Sequence, residues 1–184
     1  SLVDALKKRS DTAYSSGGVG SPGHVVGEMF KLRTGVAMNH VPYKGAPPAV
    51  TAVVSGEVSL MFATASSALG QIRGGRVRAL AVTVTERLRQ LPDVPTLAEA
   101  GFGDFNVTDW VGLVVPKGTP SDTRDRIHRA FVAAFADVEA QGRLRDATII
   151  PAAKPLGPAE FGGFLRAEVE KWSKVVRDAN ISQN

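Results

Sequence analysis

Tyr14-Ser15-Ser16-Gly17-Gly18-Val19-Gly20-Ser21-Pro22-Gly23-His24 is the stretch from which the rest of the chain can be read. Four glycines and three serines fall within eleven residues, and an apolar segment with helical spacing follows directly. Glycines let backbone N–H groups turn inward with no Cβ in the way. A helix N-terminus adds unpaired N–H donors and a partial positive charge. Together they describe an anion seat able to hold a carboxylate or a phosphate. The alternative on these residues alone is a tight strand-to-helix connection that binds nothing.

Upstream, Asp11 to Tyr14 reads as a short strand leading into the loop, and residues 1–9 as the end of a helix with Leu2, Val3 and Leu6 on one side. Beginning inside a helix suggests that chain is missing upstream. Downstream, Val25, Val26, Met29 and Phe30 recur at helical spacing. Ser21 is placed to cap that helix, Pro22 suits its first position, and Gly35 its C-terminal stop.

The alternation continues. Val36 to Val41 predicts a strand closed by Pro42, and Val50, Val53 and Val54 the buried side of a second helix stopped by Ser55-Gly56. Glu57 to Phe62 is a further expected strand. The small polar loop Ala63 to Ser67 opens a short helix ended by Gly74-Gly75, and Arg78 to Thr83 reads as another apolar strand. Strand and helix in strict turn indicate parallel βαβ units in an open α/β sheet. Ligands of such sheets sit beyond the carboxyl ends of the strands, so the glycine loop and Ala63-Thr64 are candidates for the same rim.

From Thr85 onward the pattern changes. Leu91-Pro92-Asp93-Val94-Pro95 is extended and stiffened by its prolines. Thr96-Leu97-Ala98-Glu99 reads as a capping box for a short helix ended by Gly101. Asn106 to Val115 predicts a long apolar strand interrupted by Asp109 and Trp110, the aspartate read as lying at a hinge or strand edge and satisfied by backbone. A helix capped by Thr119 follows, with Ile127, Ala130, Phe131, Ala134, Phe135 and Val138 as its apolar stripe. Then come a short helix (Glu139 to Ala147), a strand (Thr148 to Pro151) and a last helix from about Pro158. That helix turns Phe161, Phe164, Leu165, Trp172, Val176 and Ala179 inward and pairs Glu170 with Lys174 outside.

Composition narrows the chemistry. A chain of 184 residues, 43% hydrophobic and 22% charged, can bury a core as one domain or two small ones. No apolar run has the length of a membrane span. With no cysteine there are no disulfides, thiol catalysis or cysteine-bound zinc. The net charge is +4, but basic and acidic residues are interspersed, giving no nucleic-acid stripe. The densest basic run, Arg73, Arg76, Arg78, Arg87 and Arg89, reads as solvated surface.

Specific chemistries can be weighed in turn. His24, His40 and His128 are far apart in sequence and form no ligand-spaced metal cluster. Gly18-Val19-Gly20-Ser21-Pro22-Gly23 matches G-x-G-x-x-G literally, but no acidic residue ends the next strand to hold a ribose, and no Walker Lys follows. Ser16 or Ser21 with His24 would be a nucleophile and base for an α/β hydrolase acting on a carboxylate or phosphate ester. No G-x-S-x-G elbow accompanies them, and no acid is evidently placed to orient the histidine. His24, in the first helical turn, is placed either to reach an anion or to cap the turn.

Several motifs in order resemble one family. They are the opening stretch; His40-Val41-Pro42-Tyr43-Lys44-Gly45; Arg78-Ala79-Leu80-Ala81-Val82-Thr83; Leu91 through Gly101; Pro116-Lys117-Gly118-Thr119-Pro120; and Phe164 through Trp172. Over essentially its whole length the chain resembles the solute receptors of tripartite tricarboxylate transporters, also called Bug receptors. The resemblance implies an α/β, type II periplasmic binding-protein fold whose two lobes close on a small organic carboxylate. It also implies a periplasmic protein that serves the membrane subunits of such a transporter, with no enzymatic activity and no cofactor.

Carried over by motif, Ser16, Gly17, Gly18, Gly20 and Ser21 are the second lobe's share of the ligand site, with His24 adjacent. Residues 1–106 then form the second, ligand-clamp lobe and 107–184 the returning C-terminal part of the first. Against the family pattern, the N-terminal segment with the first lobe's own carboxylate loop is absent. The sheet edge this exposes could drive self-association. Where the family commonly has Asp-Asn after Met61-Phe62, this chain has Ala63-Thr64. Both positions stay in the expected site, but an amino-acid ligand, whose ammonium would welcome the aspartate, is disfavoured against an amine-free carboxylate.

Overall fold

A computed structural model describes residues 2–9, 11–103, 105–152 and 155–182. Ser1, from which the first expected helix starts, lies outside them; that helix, α1, runs Leu2–Lys7 and buries Leu6. The centre of the molecule is a parallel sheet of β1 (Ala13–Ser16), β2 (Asn39–Pro42) and β3 (Leu60–Met61), in the order β2-β1-β3. Ala13 stands beside Asn39 and Ser16 beside Pro42 on one side, and Tyr14 beside Leu60 on the other. All three strands begin later than expected, and β2 and β3 are also shorter. Only backbone alongside a neighbouring strand enters the ladder, so Asp11-Thr12, residues 36–38 and residues 57–59 lead in outside it.

Three helices complete the βαβ units: α2 (Pro22–Thr34), α3 (Ala46–Val54) and α4 (Ala65–Arg73). Successive strand residues face opposite sides of a sheet. Tyr14 points at α2, where its ring packs over Gly27, while the Ser15 hydroxyl donates to the Ala49 carbonyl of α3 at 2.9 Å. The helices on either side of β2 therefore cover opposite faces, and β1 lies at the switch between them. The expected α2 signals are in place. Pro22 opens the helix and Gly35 ends it at φ 67°, its N–H donating to the Lys31 carbonyl.

Beneath these helices lies one main core of Leu6, Tyr14, Val26, Phe30, Val36, Met38, Leu97, Phe105 and Val107. A smaller one gathers Leu69, Leu88 and Leu91. Thr96 and Glu99 form their capping box: the Thr96 N–H donates to Glu99 Oε2 at 2.7 Å, and the Glu99 N–H to Thr96 Oγ1 at 3.1 Å. A single turn follows rather than a helix. Arg78 to Thr83 is not a strand; only Val82 bridges, in parallel, to Thr96.

The C-terminal part comprises α5 (Ser121–Ala136), α6 (Val138–Asp146) and α7 (Pro158–Asp178). Pro120, not Thr119, caps α5; the Thr119 hydroxyl donates instead to the Pro116 carbonyl. Asp137 caps α6 by accepting from the Ala140 N–H at 2.7 Å. On α5 the expected stripe is half-buried at Ile127, Phe131 and Phe135 and exposed at Ala130 and Ala134, while Val138, also exposed, opens α6. On α7 the expected inward residues are all half-buried, and Trp172 packs against the main core. The outer ion pairs of α7 are Lys171 with Glu168 and Lys174 with Asp178, not Glu170 with Lys174.

Neither Asn106 to Val115 nor Thr148 to Pro151 forms a strand among the described residues. Val107 enters the core, but most of the first segment is exposed, Val111 at 87% and Val114 at 74%, and the second begins in a turn at Thr148, φ 63°. β-propensity expresses itself through a neighbouring strand and a face to pack on. Asp109 is exposed as well.

Candidate functional site

Parallel strands bring their carboxyl ends to one edge, and three loops meet there. The segment after β1 is the glycine loop, that after β2 is Tyr43-Lys44-Gly45, and that after β3 is Phe62-Ala63-Thr64. The first two are seamed by backbone: the Tyr43 N–H donates to the Ser16 carbonyl at 2.9 Å and the Gly45 N–H to the Gly17 carbonyl at 3.1 Å. A Cβ on Gly17 would stand 3.3 Å from the Ala46 nitrogen, so this approach requires a small residue. The third segment closes on the first turn of α2, where a Cβ on Gly23 would lie 2.4 Å from the Phe62 carbonyl oxygen. Gly18 and Gly20 turn the loop at φ 134° and 74°, conformations that favour glycine.

Behind the loop the sequence-distant histidines come together. The rings of His24 and His40 stack at 3.7 Å and 7°. The Gly20 N–H donates to His24 Nδ1 at 3.0 Å, so the neutral ring carries its proton on Nε2. His40 Nε2 lies 2.6 Å from Ser16 Oγ, which also accepts from the Gly18 N–H at 3.1 Å and faces the Gly18 carbonyl at 3.0 Å. Below them the Tyr14 hydroxyl donates to Glu28 Oε1 at 2.7 Å, and Lys31 pairs with the same carboxylate. Burial lowers the His24 pKa. It lowers that of His40 further, to about 4, with the neighbouring His24 acting in the same direction.

These contacts sort the expected site residues. Gly17 and Gly18 are half-buried and Gly20 is exposed, at the loop surface. Ser16 is fully buried, its hydroxyl engaged by Gly18 and His40, and His24 is 7% exposed with Nδ1 engaged by Gly20. Ser21 occupies the N-cap position of α2 but makes no capping bond; its hydroxyl oxygen is buried and has no partner. The expectation that capping uses this hydroxyl is corrected, because its side chain does not turn back to the helix. The first N–H groups of α2 also have no intrahelical acceptor.

Ala63 and Thr64 are exposed in the loop after β3. Thr64 Oγ1 donates to Ser67 Oγ at 3.0 Å, the Ser67 hydroxyl faces the Thr64 carbonyl at 2.8 Å, and Ser66 adds a third hydroxyl at the start of α4. The hydrolase dyad is not assembled as written, since Ser16 meets His40 rather than His24. Among the described residues no three His, Cys, Asp or Glu side chains lie together as metal ligands.

His40, Ser66 and Ser67 were missed. For His40 the signal was its place at the end of a strand beside the glycine-loop strand, which makes it a cross-strand neighbour of Tyr14. Trp110 lies against α7, edge-on to Phe161 and Phe164, and its indole N–H donates to Glu168 at 3.2 Å.

Comparison with known proteins agrees with this geometry. Residues 1–181 match the family model described as the tripartite tricarboxylate transporter family receptor. BugT of Bordetella pertussis is 35% identical over 187 residues, covering 96% of this chain and 54% of BugT. A solved structure from R. palustris with adipate superposes at TM-score 0.88 with 29% identity, covering 98% of this chain and 60% of that one. MatC of Rhodopseudomonas palustris with bound malate superposes at 0.83 with 28% identity, covering 95% of this chain and 60% of MatC. The chain thus spans about half the length of the curated relatives it matches. No helix among its described residues is long and apolar enough to cross a membrane.

Proposed function

The chain belongs to the tripartite tricarboxylate transporter receptor family, and we propose that it provides the ligand-clamp part of a periplasmic solute-binding receptor. The receptor captures a small organic carboxylate in a cleft between lobes and hands it to the membrane subunits of its transporter. It is a binding protein, with no turnover of the ligand. The observation that carries this reading is the meeting of the glycine loop with two further strand-end loops at the switch point of a parallel sheet. Adipate and malate in the related structures support a carboxylate.

In this reading Gly17, Gly18 and Gly20 offer N–H groups to one carboxylate, together with the first turn of α2. The Ser21 hydroxyl, buried without a partner, rotates to donate to it. Ser16 and His24 belong to the site by shaping the loop from behind, while Ala63 and Thr64 form the facing rim. Because that rim carries no carboxylate, an amine-free acid is favoured over an amino acid. Residues 1–106 form the clamp lobe and 107–184 the returning part of the other. The exposed apolar segment around Val111 and Val114 supports that division.

Charge-assisted hydrogen bonds contribute ~1.5–3 kcal/mol each, against about 8 kcal/mol for micromolar affinity. One jaw alone should therefore bind weakly. Amide spectra recorded with adipate, malate and aspartate test this. The Gly17, Gly18 and Gly20 signals should shift at high concentrations of the first two acids and less with aspartate. Unmoved glycine signals together with turnover of a generic ester panel would overturn it.

A further inference from the structure

We propose that His24 and His40 are positioning residues that hold the glycine loop only while both imidazoles are neutral, so that acid loosens the loop. His24 contributes an acceptor, Nδ1, to the N–H of Gly20, a residue at φ 74° whose orientation the loop depends on. A proton on Nδ1 would turn that acceptor into a donor facing another donor, and the bond would be lost. His40 approaches Ser16 Oγ, the atom around which the Gly18 backbone turns. With the rings parallel at 3.7 Å, charge on either one opposes charge on the other.

The groups facing the stack reinforce this arrangement without replacing it. From β1 comes the Tyr14 ring, 5.1 Å from His40; from α2 come Glu28 and Lys31, paired with each other. The carboxylate favours a charged imidazole and the ammonium disfavours it, for His24 and His40 alike. Glu28 is in addition occupied by the Tyr14 hydroxyl. Phe62, after β3, presents only its ring to Tyr14. Burial then acts with the stack to keep the pair neutral.

The proposal opposes the simpler role in which His24 touches the ligand as a cation. That role would strengthen carboxylate binding on mild acidification, whereas a positioning role weakens it. The loop readout needs no ligand, so it can fail independently of the carboxylate reading on which the binding arm rests.

The test is a pH titration by NMR of the isotope-labelled chain from about pH 7.5 to about pH 3, which spans the His40 value. At neutral pH the His24 ring should be the Nε2–H tautomer. The Gly18 and Gly20 amide signals should move together with the histidine titration, below the ordinary histidine range. His24→Gln should raise the His40 midpoint, because His24 is the ring that charges first, and His128→Gln should leave it unchanged. With adipate as probe, the induced shifts should shrink as pH falls through the His24 titration. A Nδ1–H tautomer for His24, or glycine amides that stay fixed through its titration, would overturn the proposal. The wild-type titration decides it even if the His24 variant does not fold.

Discussion

The His24 and His40 rings lie parallel 3.7 Å apart, one from α2 and the other from β2, behind a glycine loop that each of them helps to hold. Their sequence separation hides a shared environment with a defined acid–base consequence. In the unfolded chain both take up a proton near the ordinary value of 6.5; in the folded protein His24 does so at lower pH and His40 only at about 4. Below pH 6.5 the unfolded state therefore binds more protons, and stability falls with pH. The contribution is fully present above 6.5 and is lost as pH falls through the folded values, down to about 4 for His40. Thermal unfolding across this window should show the decline, and His40→Gln should flatten it while His128→Gln does not.

Glycine is required at two helix positions by contact rather than by φ. A Cβ at Gly27 would lie 2.4 Å from the ring of Tyr14, which is fully buried and cannot swing away. At Gly23 the obstacle is the Phe62 backbone carbonyl. Gly27→Ala and Gly23→Ala should each cost ~1–3 kcal/mol in denaturant unfolding from overpacking, more than the ~1 kcal/mol of helix propensity gained. Gly70→Ala, with open space around it in α4, should instead stabilise by up to ~1 kcal/mol.

Glu168 ties the segment containing Trp110 to α7. Its carboxylate accepts from the indoles of Trp110 and Trp172 and from Lys171, and these hydrogen bonds outweigh burial and hold its pKa below the usual carboxylate value. Glu168→Ala should destabilise by ~1–3 kcal/mol and red-shift tryptophan emission. Glu168→Gln, which keeps an acceptor oxygen, should lose less on both measures.

We propose the exposed apolar segment around Val111 and Val114 as the surface of any self-association of the chain. Light scattering of wild type and of a Val111→Asp, Val114→Asp double variant checks this. The variant should shift toward monomer, with unfolding free energy changed by no more than ~0.5 kcal/mol because neither side chain is buried.

Local signals were legible where they act over a few residues. Pro22 and Gly35 bound α2, the Thr96–Glu99 box closes its turn, and α7 begins at Pro158. Long-range pairing was less so. Arg78 to Thr83, Asn106 to Val115 and Thr148 to Pro151 have the composition of strands, yet none joins a ladder among the described residues. Nothing in their own residues specifies the neighbour a ladder needs. Ser21 illustrates the same limit at the site: its position as N-cap could be read, but not that its hydroxyl would be buried without a partner.

By itself, then, the sequence determined the alternation of strand and helix and the place of the glycine loop after the first strand. Those follow from apolar period and from glycine and proline stereochemistry, both local properties. Only the tertiary structure decided what stands behind that loop. The parallel pairing of β1 with β2 sets His40 beside Tyr14, and α2 folds His24 onto it. Burial between those elements is what keeps the two imidazoles neutral.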